Sequence, residues 1–263
     1  MRWVCFLLAM LMAQMAHPAT AMWSDLASAR AAFDDGAFSR AAAAAREVGT
    51  AEGYTLAAHA EMARGDLIEP KGKARLECYR TALADARKAL ASAPDDPDAH
   101  LVLAIALGFV ARGEGGLEAH MQGLGEEARK HIDIALKLAP DNPWAHAALG
   151  GWNLQIAYAG GSIGEAIYGA SVKAGRRAYE DALRLDPKNT AIAYQYAVQL
   201  LGLDGDAHRR RAAELLDRVV AHRPANALER LLWQSAESLK QALDRGETGE
   251  AMRLAEARLG DTR

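Results

Sequence analysis

The segment that decides the fold is Ala93-Pro94-Asp95-Asp96-Pro97-Asp98-Ala99-His100, which returns 46 residues later as Ala139-Pro140-Asp141-Asn142-Pro143-Trp144-Ala145-His146. Looser copies occur at Asp186-Pro187-Lys188-Asn189 and at Arg223-Pro224-Ala225-Asn226. A helix-breaking turn that recurs at a nearly fixed period is typical of a helical solenoid. The repeated segment therefore predicts a stack of helix pairs.

The composition of the 263 residues agrees with an all-α protein. Apolar residues make up 51% of the chain but aromatic residues only 6%, and alanine dominates the apolar share. Alanine, leucine, arginine and glutamate are strong helix formers, whereas valine and isoleucine, which favour strands, are sparse. The formal net charge of −3 favours neither nucleic acid nor an anionic membrane as a partner.

The first 21 residues have the pattern of a cleavable signal peptide. Arg2 supplies a positive start, residues 3–15 form an apolar stretch, and Ala19-Thr20-Ala21 supplies small residues at a cleavage junction. The apolar stretch is too short to span about 30 Å of hydrocarbon as a helix. We therefore expect residues 1–21 to be a signal peptide that is cleaved after Ala21, and the protein to be periplasmic or secreted. Residues 22–263 are expected to form one domain.

The exported chain retains a single cysteine. Cys5 lies within the signal peptide, so only Cys78 remains and no internal disulfide can form. We interpret Cys78 as a small residue between packed helices, and stability must come from packing.

Proline and glycine positions divide the chain into about twelve helices in six antiparallel pairs. The predicted pairs are 23–34 with 37–48, 51–65 with 72–92, 97–111 with 116–138, 143–158 with 163–185, 189–202 with 207–221, and 226–244 with 249–259. In the fourth pair the turn is placed at Gly160-Gly161, and Ser162 is expected to cap the next helix.

The residues before each proline resemble the tetratricopeptide (TPR) repeat. The spacing is small-x3-large-x2-small-x4-Pro, because small residues let a neighbouring backbone approach and proline ends the helix. It occurs at Ala82, Ala86, Ala89, Pro94; Ala128, Ile132, Ala135, Pro140; Gly175, Tyr179, Ala182, Pro187; and Ala212, Leu216, Val219, Pro224. Leu149-Gly150 matches the Leu-Gly pair of a TPR first helix. The resemblance implies a right-handed superhelix of helix hairpins.

The period departs from that of ordinary TPR units. Successive prolines at positions 94, 140 and 187 are 46 and 47 residues apart, against about 34 in TPR proteins. We expect the surplus to elongate the second helix of each pair. Over about residues 75–205 the chain resembles the regulator-of-microtubule-dynamics type, through Ala148-Leu149-Gly150-Gly151-Trp152. It also resembles periplasmic TPR proteins associated with tripartite (TRAP) transporters.

The sequence offers little sign of catalysis or of metal binding. No Walker motif and no His-Glu-x2-His occurs. Gly160-Gly161-Ser162-Ile163-Gly164 has the spacing Gly-x-Ser-x-Gly, and we interpret it as a tight turn between helices with Ser162 as a helix cap. His100 and His146 share one repeat position, and we interpret them as packing residues one repeat apart and not as a metal pair. We therefore expect no enzyme, no cofactor and no metal site.

The resemblance to TPR arrays places the binding surface on the first helices, which line a concave groove. The residues expected there are Leu101, Ile105, Trp144, Ala147, Gly151, Leu154, Tyr194 and Val198. This face is apolar and lacks the polar clamp that TPR domains use for a C-terminal carboxylate. Exposed apolar concavities bind apolar ligands. The alternative is that the long second helices or the chain termini fill the groove, which would make these residues core.

Two functions remain open at this point. The first is a non-catalytic exported scaffold that holds a protein or peptide partner on the concave face. The second is a carrier of a lipid-like or other small molecule, possibly associated with a transporter. Nucleic acid is not expected as a partner, and no transmembrane span is expected after cleavage.

Overall fold

The computed structural model describes residues 18–203 and 205–260, with side chains from residue 25 onward. The described residues form thirteen helices and no strand. The helices are α1 (Pro18–Asp34), α2 (Phe38–Val48), α3 (Ala51–Leu67), α4 (Lys73–Ser92), α5 (Pro97–Glu114), α6 (Gly116–Met121), α7 (Leu124–Leu138), α8 (Pro143–Tyr168), α9 (Val172–Leu185), α10 (Thr190–Leu201), α11 (Asp206–Val220), α12 (Ala227–Asp244) and α13 (Thr248–Leu259).

Six helix pairs follow one another along the chain, as the sequence predicts. The pairs are α1 with α2, α3 with α4, α5 with α7, α8 with α9, α10 with α11, and α12 with α13. The prediction of an all-α, TPR-like stack of helix pairs is confirmed.

The recurring turn is held by the same hydrogen bonds in two repeats. Asp96 and Asn142 cap α5 and α8 by accepting backbone N–H bonds with their side-chain oxygens. His100 Nε2 lies 2.9 Å from the carbonyl oxygen of Pro94, and His146 Nε2 lies 2.8 Å from that of Pro140. Each histidine therefore donates to the carbonyl six residues before it and ties the new helix to the end of the previous one.

In the fourth helix pair, the large residue of the TPR-like spacing meets a glycine of the first helix. A Cβ atom on Gly150 would lie 2.5 Å from the ring of Tyr179, which is closer than side chains approach one another. Gly175 has the converse role, since its Cβ would lie 2.6 Å from Leu154. These contacts bring α8 and α9 into close packing.

The expectation of elongated second helices in the third and fourth pairs is wrong. Residues 116–138 divide into α6 and α7, because Gly123 has a φ of 66° and interrupts the helix. In the next pair α8 continues to Tyr168 with a kink at Gly161, where φ is 52° and ψ is −149°. The turn lies at Gly169 to Ser171, and Ser171, not Ser162, caps the following helix. The surplus residues thus form extra helical segments between the paired helices.

The last helix pair packs back onto the beginning of the chain. Helix α12 contacts α1 and α3, and α13 contacts α10. Arg75 Nη1 donates to the carbonyl of Ala257 at 3.2 Å, and Gln155 Nε2 donates to that of Leu259 at 3.1 Å. Arg258 donates to the carbonyl of Asp66. The C-terminal pair therefore covers part of the inner face of the stack.

The predicted signal peptide lies mostly outside the described residues. Helix α1 begins at Pro18, so its first turn precedes the expected cleavage position after Ala21. Within residues 18–203 and 205–260, no helix has the length and apolar character that crossing a membrane requires. Cleavage and the domain boundary at residue 22 stay predictions.

Candidate functional site

Two adjoining cavities lie on the inner face of the helix stack. The first, which we call the α8 chamber, has a volume of about 220 Å³ and lies between α5, α7, α8 and α10. The second, the α12 chamber, has a volume of about 390 Å³ and lies between α3, α5, α10 and α12. Both are lined by Ile105, Phe109, Trp144 and Gln195, so these four side chains separate the chambers.

Half of the predicted binding residues line the α8 chamber. They are Ile105, Trp144, Ala147 and Gly151. Trp144 is 40% exposed at the boundary, where its large apolar side chain remains available to a ligand. Leu101 lines the α12 chamber and is otherwise buried.

The remaining three predicted residues belong to the core. Leu154, Tyr194 and Val198 are buried, and they share a hydrophobic cluster with Leu239, Ala255 and Leu259 of the C-terminal pair. Their predicted place on an open groove is therefore wrong. For Tyr194 and Val198 the physical reason is that α13 packs on α10, as the alternative of a groove filled by a chain terminus allows, whereas Leu154 packs against Gly175 of α9.

Polar residues on α8 and α10 complete the α8 chamber, and sequence reasoning missed them. Gln195 and Gln199 lie one turn apart on α10, and Gln155 joins them from α8. The signal was present, because these two glutamines are i and i+4 in the otherwise apolar stretch from Ala191 to Leu201. Apart from them and the guanidinium of Arg112, the chamber wall is mostly aliphatic and aromatic.

A buried ion pair supports the wall between the two chambers. Arg112 Nη2 donates to Asp66 Oδ1 at 2.8 Å, and the hydroxyl of Tyr79 donates to the same oxygen at 3.3 Å. The guanidinium also lies 4.3 Å from the ring centre of Phe109. Burial alone would lower the pKa of Arg112, but the nearby Asp66 and Tyr79 raise it overall. The positive charge on this side of the chamber is therefore permanent and already paired.

The histidines of the third helix pair form a buried hydrogen-bonded couple. His100 Nδ1 lies 2.8 Å from His131 Nδ1, and the two rings are stacked. Because His100 donates from Nε2 to Pro94, its Nδ1 accepts from His131. Burial and then the neighbouring His100 lower the pKa of His131. The described residues contain no group of three or more His, Cys, Asp or Glu side chains placed to hold a metal ion.

An exposed apolar surface lies at the rim of the stack, outside both chambers. It consists of Leu117 and Met121 on α6 with Ile163 and Ile167 on the distal part of α8, which are 58–75% exposed. All four line a shared depression of about 800 Å³. We call it the rim surface. It is built from the extra segments that lengthen these two repeats.

Comparison with known proteins places this architecture in a family. The model of the family described as Regulator of microtubule dynamics protein 1-3 matches residues 37–244. The chain belongs to this family. The match includes the four residues that separate the chambers and both of the lengthened repeats. It extends beyond residues 75–205, over which the sequence was expected to resemble this family.

A solved structure shows the same fold at low sequence identity. It is the crystal structure of a thermophilic TPR protein of Thermus thermophilus, with a TM-score of 0.58 and 15% identity, covering 82% of this chain and 98% of that one. At this identity the likeness concerns the fold alone. No curated protein sequence gives a significant match.

Proposed function

We propose that this family member is a non-catalytic, exported binding protein that holds an apolar molecule in the chambers of its inner face. The observation that carries the proposal is the α8 chamber itself, an apolar cavity with a few convergent amides, which is the usual make-up of a small-molecule site. TPR-like folds are generally interaction scaffolds, so a binding role agrees with the architecture.

The size of the inner space favours a small molecule over a folded partner. The two chambers together offer about 610 Å³, from 220 Å³ and 390 Å³, and share a wall of four side chains. Small-molecule sites commonly have volumes of about 300–1,000 Å³. The C-terminal pair covers part of the inner face, which shortens the apolar track that the described residues offer to a long peptide.

A second candidate function concerns the rim surface. Four large aliphatic side chains exposed side by side favour a protein-interaction role there, since such clusters are uncommon on monomers without a partner. In that case a polypeptide partner binds at the rim and not on the concave face. The two functions use different residues and are compatible with one another.

The small-molecule proposal is tested with N-phenyl-1-naphthylamine, an uncharged probe that fluoresces in apolar surroundings. A Cβ atom on Gly108, which lines the α8 chamber, would meet no atom within 4 Å, so the wall has room for the first atom of a side chain there, and Gly108→Leu is designed to narrow the chamber. We expect this variant to remain folded and to bind the probe at least tenfold more weakly.

The matched control is Gly249→Leu, which also replaces a helical glycine in open space but lies outside both chambers. It should bind like the unchanged protein. Equal binding by both variants would refute the proposal. Mass spectrometry of intact protein from a periplasmic extract tests export, for which a mature chain starting at Met22 is expected.

A further inference from the structure

The wall of the α12 chamber carries a negative charge that the protein does not neutralise. Among the residues that the structure describes, two carboxylates line this chamber, those of Asp66 and Asp98, and no lysine or arginine does. Asp66 is paired with Arg112 at 2.8 Å from behind the wall. Asp98 is exposed, and the one side-chain bond that it accepts within the described part of the chain comes from the amide of Asn142 at 3.4 Å. The chamber is therefore open to a ligand that brings a positive charge.

An accessible indole lies next to this carboxylate because of the helix repeat. Asp98 and Trp144 are the second residues of α5 and α8, so they occupy the same position in consecutive repeats. Asn142 joins them, since its Nδ2 donates to Asp98 Oδ1 and its Oδ1 accepts the backbone N–H of Trp144 at 2.9 Å. Both side chains line the α12 chamber, and Trp144 is 40% exposed. A carboxylate and the face of an indole both attract an ammonium group.

The histidine of the wall adds no opposing charge. His59 on α3 lines the chamber and is exposed, yet burial, and to a lesser extent the nearby Arg30, lowers its pKa to about 4. Both observations fit a ring that lies in a concavity, open to solvent on one side and surrounded by protein on the others. The imidazole is thus neutral at pH 7. An anionic ligand would meet Asp98 and find no cation in the wall, which is unfavourable.

The rest of the chamber suits an alkyl chain. Met62, Leu101 and Leu232 are buried residues that line it from α3, α5 and α12. The volume of about 390 Å³ lies within the range of about 300–1,000 Å³ that is common for small-molecule sites. One cavity therefore combines a charged, aromatic side with an aliphatic side, which is the make-up that an amphiphile requires.

We infer that the α12 chamber binds an amphiphile with an ammonium group, protonated or quaternary, which lies between the Asp98 carboxylate and the Trp144 indole. Its alkyl chain lies against Met62, Leu101 and Leu232. This inference rests on the proposed function and adds the chemical class of the ligand. Binding is non-covalent, so no group is transferred.

The test compares three ligands that share an octyl chain and differ in charge. Octyltrimethylammonium is cationic, octan-1-ol is neutral and octanoate is anionic at pH 7.5. Each is titrated into the full chain by isothermal titration calorimetry. We expect the cation to bind about tenfold more tightly than the alcohol, the ratio that an ammonium group on an accessible indole beside a carboxylate supports. Octanoate should bind more weakly than either.

Two variants locate the charge that selects the cation. Asp98→Asn keeps the size of an exposed side chain and removes its charge, so the ratio of cation to alcohol affinity should fall to about one. Asp95→Asn is the matched control, because Asp95 is an exposed acid of the same turn that does not line the chamber. It changes the net charge equally and should leave the ratio near ten. If Asp98→Asn does not fold, the three ligands on the unchanged protein still decide the question.

The outcomes separate this inference from the proposed function. N-phenyl-1-naphthylamine that binds and is blocked by Gly108→Leu, together with equal affinity for the octyl cation and alcohol, would overturn the ammonium class and leave the binding function standing. Tighter binding of octanoate than of the cation would do the same. An equal loss of cation affinity in the Asp98 and Asp95 variants would overturn the assignment to the chamber. Absence of binding by the probe and by all three octyl ligands would overturn both proposals.

Discussion

Replacement of Asp66 by asparagine should destabilise the protein more than any single change of a surface ion pair. Asp66 is 5% exposed and compensates the charge of Arg112, whose side chain is 11% exposed. Asp66→Asn keeps the volume and one acceptor oxygen but leaves the guanidinium without a counter-charge. Breaking a buried pair in this way typically costs about 3–5 kcal/mol of unfolding free energy.

The structure favours the lower end of that range. Asparagine can still accept from Arg112 at the position of Oδ1, and the contact of the guanidinium with the Phe109 ring is unaffected. We therefore expect a loss of about 3 kcal/mol in urea unfolding. For a chain of this size, that corresponds to a melting temperature lower by about 6–12 °C.

The control pair is Asp181 with Arg184, whose guanidinium is largely exposed on α9. Asp181→Asn should cost at most about 0.5 kcal/mol, as is usual for exposed pairs. The double variant Asp66→Leu with Arg112→Met should recover most of the loss, because no charge is then buried unpaired. The reasoning fails if Asp66→Asn costs less than about 1 kcal/mol or if the double variant is less stable than the single one.

Three further changes test other parts of the structure. Gly150→Ala should lower stability by about 1–3 kcal/mol in urea unfolding, because its methyl group overlaps the Tyr179 ring, and an unchanged midpoint would contradict that close approach. Because the pKa of His131 is lowered in the folded protein, the neutral imidazole contributes its full stabilisation above about pH 6.5. This stabilisation is lost as the pH falls below that value, because the unfolded chain takes up a proton there before the folded protein does. The melting temperature of His131→Gln should consequently fall less between pH 7.5 and pH 5.5 than that of the unchanged protein, and equal falls would count against the couple with His100. Trp144→Ala should weaken probe binding about fivefold while costing well under the ~3–5 kcal/mol of a core tryptophan, whereas global unfolding would show that Trp144 is core.

The paired helices follow from local rules, which is why the sequence predicts them. Asp96 and Asn142 cap helices by bonds within a few residues, and the Gly150 contact with Tyr179 belongs to a spacing that repeats along the chain. The breaks at Gly123 and Gly169 were missed because a glycine among helix-forming residues is compatible with both a helix and a turn. Packing on neighbouring helices decides between them.

The site was only half predictable for a different reason. The repeat register places Ile105, Trp144, Ala147 and Gly151 on the inner face, and they do line the α8 chamber. The same register cannot reveal that α13 returns to cover Tyr194, since that contact joins residues more than fifty positions apart. Which apolar residues remain exposed to the chambers depends on the packing of the whole stack and not on one repeat.

The return of the C-terminal pair onto α1 and α3 also sets the number of repeats. An open array can gain or lose a unit at either end, because each unit contacts only its neighbours and the terminal face is free. Here the last unit is a neighbour of the first two, and Arg258 bonds to Asp66 only if the intervening units carry it to that place. Deleting or duplicating one helix pair would rotate and translate α13 away from its acceptor. Among the described residues the stack is thus constrained like a ring, in which the insertion or loss of a pair disturbs the contacts at both of its ends.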